Sequence, residues 1–373
     1  MRSPSRVGLD KSDPSDLSDP SDRFDGSDDL NRRLQNEIER GMADSKARVW
    51  LMAARPKTLP AAAAPVLLGT AMAYADGGFH AVSALCAFLG ALLIQIGANL
   101  ANDYFDHAKG ADTTVRLGPT RVTQAGLVAP GKVLAAAALA FVLACVPGLY
   151  IVFRGGWPFV VIGLTSIACG ILYTAGPYPL GYLGLGDLLV LVFFGPVAVA
   201  GTYYVQALEL SRPIMIAGFG PGLLSVAILT VNNLRDVDQD REAGKKTLPV
   251  RFGRTLAKAQ YLACFVVACL GVPAGIAIGN GRWWVLLAAL TLVAALPTIA
   301  VILRVPSRKP VCPFQVRSMG VDYDYEHEHE HEYEREHGPE TRDPKPETLN
   351  DALAATGKLL LLYSVLLSIG WML

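Results

Sequence analysis

The stretch Ala87–Asp112, "AFLGALLIQIGANLANDYFDHAKGAD", decides how this chain folds. As far as Ala101 it carries no charge at all, and a soluble surface does not tolerate such a run. It then places Asn102, Asp103, Asp106, Lys109 and Asp112 at the mouth of the apolar helix. The pattern returns in Val226–Leu248, "VAILTVNNLRDVDQDREAGKKTL", where Asn232, Asn233, Asp236 and Asp240 follow another apolar run. Two carboxylate clusters at two apolar helix ends need one explanation.

Composition supplies the setting. Of 373 residues, 52% are hydrophobic and only 18% charged, and the charge gathers in the first fifty residues, in short links and in one late insert. A span needs about 20 apolar residues to cross about 30 Å of hydrocarbon. Nine candidate spans run roughly over 59–76, 81–101, 132–153, 157–175, 187–207, 214–233, 257–279, 283–304 and 350–372. The predicted fold is therefore an all-α polytopic membrane protein. Zero net charge gives no support to nucleic-acid binding, and no segment announces an obligate protein partner. Five of the six cysteines lie inside apolar runs, none at metal-ligand spacing, so they read as small hydrophobes rather than a disulfide framework.

Residues 1–45 read as an acidic, Ser/Pro-rich tail without core-forming content, with Leu30, Leu34 and Ile38 spaced for a short amphipathic helix. Met42 is a second candidate start. The membrane domain is expected over 46–373, interrupted at 306–347 by a low-complexity insert, "DYDYEHEHEHEYEREHGPE". His327, His329 and His331 in that insert alternate with Glu. Such i, i+2 ligands converge only on an extended strand, so the insert reads as a solvated loop. Basic residues concentrate in the links after spans two, six and eight, while the alternate links hold only Arg154, Arg212 and Arg282. By the positive-inside rule, the N-terminus and both acidic clusters are expected on the cytoplasmic side of the inner membrane.

Asp236 and Asp240 are one helical turn apart, with Asn232 one turn earlier on the same face; Asn102 and Asp106 repeat the spacing, and Asp103 sits slightly round the helix. Gly110 is expected to end the first helix and let Asp112 fold back beside Asp106. If spans two and six are neighbours, their tips bring four to six carboxylates together. Carboxylates crowded at low dielectric repel and must be neutralised. Mg²⁺ suits them, because it takes one or two carboxylates per ion and completes its shell with water and phosphate. Lys109, Arg121, Arg235 and Lys246 lie within a few residues of the acids, so an anion is expected as well. Metal and cations facing an apolar bundle describe a diphosphate with a lipid tail. Departure of that diphosphate would leave an allylic carbocation, for which Tyr173, Tyr178, Phe193, Phe194, Tyr203 and Tyr204 are candidate aromatic walls.

"NDYFDHAKGAD" and "NNLRDVDQDREAGKKTLPVRFG" resemble the two Asp-rich motifs of the UbiA superfamily of intramembrane aromatic prenyltransferases. Within it, "AARPKTLPAAAAPVLLGTA", "GADTTVRLGPTRVTQAGLV", "ILYTAGPYPLGYLGLGD" and "FFGPVAVAGTYYVQ" resemble the branch that prenylates 1,4-dihydroxy-2-naphthoate for menaquinone. The resemblance implies nine helices around a central cavity open sideways to lipid. It also implies Mg²⁺-dependent transfer of a polyprenyl chain from its diphosphate to that small aromatic acid, with loss of CO₂ and pyrophosphate and a demethylmenaquinone as product. By the same resemblance, Asn102, Asp103, Asp106, Asp112, Asp236 and Asp240 hold metal, and Asn102, Asn233, Lys109, Arg121, Arg235 and Lys246 hold diphosphate. Asp106, Asp236 and Tyr173 then stand at the reacting centre. The tail and the His/Glu insert have no counterpart in the family and are expected to carry no catalytic part. The alternatives are a different aromatic acceptor (4-hydroxybenzoate, homogentisate or a tetrapyrrole) and, outside enzymes, an ion- or proton-coupled transporter. Acids at helix ends rather than mid-membrane count against the transporter.

Overall fold

The computed structural model describes residues 45–110, 121–307 and 346–373. The tail, Asp112 and the His/Glu stretch with His327, His329 and His331 therefore lie outside the described residues. The chain divides into a unit Met1–Trp50, of which the described residues 45–50 are helical, and a unit Leu51–Leu373 that holds everything below.

Among the described residues, nine apolar helices follow in order: α1 Leu59–Ala75, α2 Ala81–Ala108, α3 Pro130–Gly155, α4 Pro158–Leu172, α5 Gly186–Ala207, α6 Arg212–Arg235, α7 Arg254–Asn280, α8 Trp283–Leu303 and α9 Pro346–Met372. All but α4, and α1 taken by itself with its 17 residues, are long and apolar enough to cross a membrane. The fourth expected span is thus shorter than its sequence suggests: α4 has 15 residues, about 22 Å of helix. The cause lies in "GPYPLGYLG", where Gly176 and Gly184 take positive φ (82° and 80°), and Pro177 and Pro179 supply no amide hydrogen. Proline in the first turn of α1, α3, α4 and α6 costs nothing, because those amides have no helical partner.

Helix α6 forms the axis of the larger helix group. It packs against α1, α5, α7 and α9, and 67% of its most apolar stretch is buried, against 22% in α2 and in α3. The α2–α3 hairpin is accordingly less enclosed by other helices. Close approach of α5 to α6 needs small residues: a Cβ on Gly222 would stand 2.6 Å from the Leu191 carbonyl oxygen, and one on Gly218 would stand 2.6 Å from the Pro196 Cα. At that contact α5 widens into a π-helical turn, Phe193–Val197, with Gly195 off helical geometry and Pro196 unable to donate. Gly222→Val is expected to separate the two helices at a cost of about 1–3 kcal/mol or more. It should read out as a lowered thermal midpoint of the detergent-solubilised protein; an unchanged midpoint would contradict this packing.

At the opposite end from the acids, one carboxylate gathers four elements. Asp76, following α1, accepts from Arg282 (2.7 Å) and Trp371 Nε1 (3.2 Å) on one oxygen, and from the Tyr203 hydroxyl (3.1 Å) on the other. Arg282 also donates to the Trp371 carbonyl at 2.6 Å and lies over its ring. Deeper in the bundle, Tyr261 on α7 and Thr356 on α9 share a buried hydroxyl–hydroxyl bond of 2.9 Å. With these ties in place, the other end of the bundle remains free to open around a cavity.

Candidate active site

That cavity, of about 850 Å³, is lined by helices α1 to α6 and reaches from Asp106 at the end of α2 to Ala87 near its start. The interval is about 28 Å of helix, close to the hydrocarbon thickness of a bilayer. Leu149 on α3 and Leu164 on α4 line it and are 71% and 65% exposed, so it opens to the lipid-facing flank between these two helices. Five basic side chains and three carboxylates line it, all from the described residues.

The first acidic cluster is built on the last turns of α2, which stops at Ala108 with Gly110 at φ 66°, the helix end its sequence predicts. Asp106 is buried and paired with buried Arg121. Arg121 also donates to the Asn102 carbonyl at 2.8 Å, and the Asn102 side-chain oxygen accepts from Thr174 at 2.9 Å. Tyr182 reaches the other Asp106 oxygen at 3.5 Å. Burial and the Asp106 carboxylate push the Tyr182 hydroxyl well above its ordinary range.

The second cluster is held by Arg235, buried at the end of α6. Its guanidinium forks onto both Asp236 oxygens (2.7 and 2.6 Å), reaches Asn232 at 2.6 Å and donates to Asn350 of α9 at 2.7 Å. Asp236 opens the short helix Val237–Glu242, and its carbonyl accepts from the Asp240 amide at 2.7 Å. Asp240 is buried and pairs with Lys245 at 3.3 Å. Burial pushes this carboxyl up to about 6; Lys245 opposes the shift, and the like charges of Asp236 and Asp106 add to it. Asp106 and Asp240, from the two separate motifs, thus lie within electrostatic reach of each other.

The tips of α2 and α6 therefore serve one cavity, although the two helices are not packed along one another. Helices α1 and α5 pack on both. Between the tips stands the ring of Tyr182, with Lys109 Nζ from one motif and Lys245 Nζ from the other each 5.2 Å from its centroid. Lys109 also donates to the Gly176 carbonyl at 2.9 Å. Tyr173 lines the cavity, packed over Gly181 and Gly186, and Asn233 is buried in its wall.

Three expected site residues lie off the cavity lining; of these, Lys109 is exposed at the rim, its ammonium held by the Gly176 carbonyl beside the Tyr182 ring. Asp103 is buried off the cavity, where its Oδ2 accepts the Val122 amide at 3.1 Å and anchors the chain that carries Arg121. Lys246 is exposed and outside the cavity lining; its backbone amide, not its ammonium, is engaged, donating to the Tyr182 carbonyl at 2.9 Å. Lys245 takes its place. Of the aromatic candidates, Tyr173, Phe193 and Phe194 line the cavity; Tyr203 is spent on Asp76, Tyr204 stacks on Phe159, and Tyr178 is exposed. The sequence reading also passed over Arg55, Thr58, Gln95 and Asn99, which line the wall below the acids. Gln95, Asn99, Asn102 and Asp106 recur at four, three and four residues, one face of α2, and that spacing was the available signal.

Among the described residues no three His, Cys, Asp or Glu side chains converge as a metal cage. Carboxylates spread over two helix tips, each facing a basic group, nevertheless fit Mg²⁺, which keeps water and substrate phosphate in its shell and needs only one or two protein carboxylates.

The UbiA prenyltransferase family profile matches residues 62–318. The chain is 43% identical to the 1,4-dihydroxy-2-naphthoate octaprenyltransferase of Escherichia coli (strain K12) over 235 residues, 61% of this chain and 75% of that protein. Its counterpart of the same name in Haemophilus influenzae is 38% identical over 237 residues, 61% of this chain and 77% of the relative. The structure of a UbiA homolog from Archaeoglobus fulgidus bound to GPP and Mg²⁺ superposes with a TM-score of 0.50 at 13% identity, covering 86% of this chain and 99% of that one, and so shares the fold. Two acidic motifs at the tips of α2 and α6, serving one laterally open cavity, thus sit in a chain that belongs to the UbiA prenyltransferase family.

Proposed function

We propose that this integral membrane protein transfers a polyprenyl group from its diphosphate to 1,4-dihydroxy-2-naphthoate. The observation that carries the reading is the joining of two acidic motifs and five basic side chains at one end of a cavity whose other end is apolar and open to lipid. The two relatives named 1,4-dihydroxy-2-naphthoate octaprenyltransferase support the acceptor. Membership of a prenyltransferase family sets the transporter alternative aside. The acidic end faces the cytoplasm, because the links flanking it hold most of the basic residues, and the host membrane is the inner one.

Asn102, Asp106, Asp236 and Asp240 would hold Mg²⁺, which would supply charge neutralisation for the diphosphate. Arg121, Arg235, Lys245 and Lys109 meet the remaining phosphate charge, and Asn233 adds an uncharged contact. The allylic C–O bond breaks with its electron pair leaving on the diphosphate. The ring carbon that bears the carboxylate forms the new C–C bond. CO₂ then departs, and the electron pair it leaves behind restores the aromatic ring, so no base has to remove a proton. The product at this oxidation level is the quinol of a demethylmenaquinone. Tyr173, Phe193 and Phe194 present aromatic faces to the developing cation, and the apolar walls keep water from it.

The test uses membranes containing the protein, Mg²⁺, a labelled polyprenyl diphosphate and a panel of aromatic acids labelled in the carboxyl group. Labelled CO₂ and prenylated product are expected with dihydroxynaphthoate, and a chelator should stop both. Turnover of another acid with none of dihydroxynaphthoate would replace the proposed acceptor.

A further inference from the structure

The cavity wall formed by α1 and α2 carries a polar cluster that the reaction above does not use. Asn99 donates its two amide hydrogens to the Ala54 carbonyl and to Thr58 Oγ1, both at 3.0 Å. Gln95 donates its two to Asn99 Oδ1 (3.3 Å) and to Thr58 Oγ1 (3.4 Å). The Thr58 hydroxyl donates to the Arg55 carbonyl at 3.0 Å. Every N–H and O–H of the three side chains is thereby spent, and Thr58 Oγ1 accepts twice.

This bookkeeping also fixes which way the amides point. The Ala54 carbonyl can only accept, so Asn99 must offer it nitrogen; Asn99 then turns its oxygen to Gln95, and Gln95 must answer with nitrogen. The Gln95 Oε1 oxygen is left over, without a partner, on a residue that lines the cavity. An amide oxygen facing hydrocarbon would lose its hydrogen bond to water and gain nothing. The wall therefore asks for a ligand that brings a donor.

We infer that Thr58, Gln95 and Asn99 form the seat for a hydroxyarene, with Gln95 Oε1 accepting the hydrogen bond of its ring hydroxyl. This rests on the prenyltransferase reading above and adds to it how the acceptor is recognised. A polyprenyl tail has no donor to offer, and its apolar path lies across the cavity along α3 and α4, where Leu149 and Leu164 open to lipid. Position agrees with chemistry. Gln95 is on the Asp106 face of α2, eleven residues and about 16 Å of helix away. A diphosphate at the acids, a reacting contact of about 3.5 Å and the aromatic acceptor itself occupy that interval.

The experiment measures steady-state kinetics of membranes carrying wild type, Gln95→Leu and the near-isosteric Gln95→Met. Each substrate is varied in turn, and the acceptor is supplied both as dihydroxynaphthoate and as its monomethyl ethers at each hydroxyl. Wild type is expected to disfavour one of the two ethers by about tenfold in kcat/KM. Both variants should lose about tenfold on the free hydroxyl, lose the discrimination against that ether, and keep the KM for polyprenyl diphosphate within about twofold. A merely structural role for Gln95 would not remove discrimination at one ring position. Variants that turn over but discriminate like wild type, or whose loss falls equally on both substrates, overturn the seat alone. Wild-type membranes that prenylate no hydroxyarene overturn the seat together with the reaction it serves.

Discussion

Asp240→Asn should lose turnover by at least a factor of about 100 while the protein becomes no less stable. The carboxylate sits buried in the short helix after α6, with the like charges of Asp236 and Asp106 acting on it, and its carboxyl is pushed from 3.8 up to about 6. A folded-state pKa above the unfolded one means that folding disfavours the charged form. The carboxylate therefore opposes folding above about pH 6, the opposition shrinks between 6 and 3.8, and it is absent below. The neutral amide removes a penalty on the order of 3 kcal/mol at neutral pH, less what Lys245 forfeits by losing its partner. Lys245 keeps its position over the Tyr182 ring and is partly exposed to solvent, so its loss is small. Thermal unfolding in detergent with a chelator present, at pH 7.5 and at pH 4, provides the check. The variant's midpoint should equal or exceed wild type at pH 7.5, and the two should converge toward pH 4. A variant that keeps full activity, or melts well below wild type at neutral pH, would remove Asp240 from the proposed site.

Arg235→Ala is expected to behave in the opposite way, losing stability and activity together. Its guanidinium joins Asp236, Asn232 and Asn350, so it ties the end of α6 to α9 as well as holding the second acidic motif. Removing it strands Asp236, which is 14% exposed, without its ion-pair partner, a loss of about 3–5 kcal/mol for a broken buried pair. Turnover should fall by about 1,000-fold or more, since both a phosphate contact and the geometry of Asp236 go at once. The double variant Arg235→Ala with Asp236→Ala separates the two effects. Stability should return in large part, because no unpaired charge remains, and activity should not. If the double variant melts as low as Arg235→Ala, the stability loss belongs to the Asn350 contact rather than to the ion pair.

The asymmetry between these variants could not have been read from the motif. In sequence, Arg235, Asp236 and Asp240 are equivalent members of an acidic, basic-rich helix end. What separates them is burial and the number of partners each has, which α9 and the link beyond Asp240 supply from 115 and five residues away. The same holds for Lys245 and Lys246, adjacent in the chain, where the turn after Glu242 sends one ammonium to the cavity and leaves the other outside it. By helical spacing, Asp103 sits slightly round the helix from Asp106. The structure shows that this rotation is enough to take it off the cavity and give it to the Val122 amide.

By itself, the sequence determined the membrane-spanning helical fold, the two acidic motifs, their i, i+4 registers and the stop at Gly110. All of these follow from local rules: apolar length against bilayer thickness, 3.6 residues per turn, and glycine's freedom at positive φ. Only the tertiary structure decided that α2 and α6 meet across a cavity rather than side by side, with α1 and α5 packed on both and Tyr182 between their tips. It likewise decided that Gln95, one polar residue in an apolar run, is left with an unanswered oxygen. Those outcomes depend on which distant carbonyls and side chains arrive beside each group, and hydrophobic periodicity, which registers only the face a residue shares, contains no record of them.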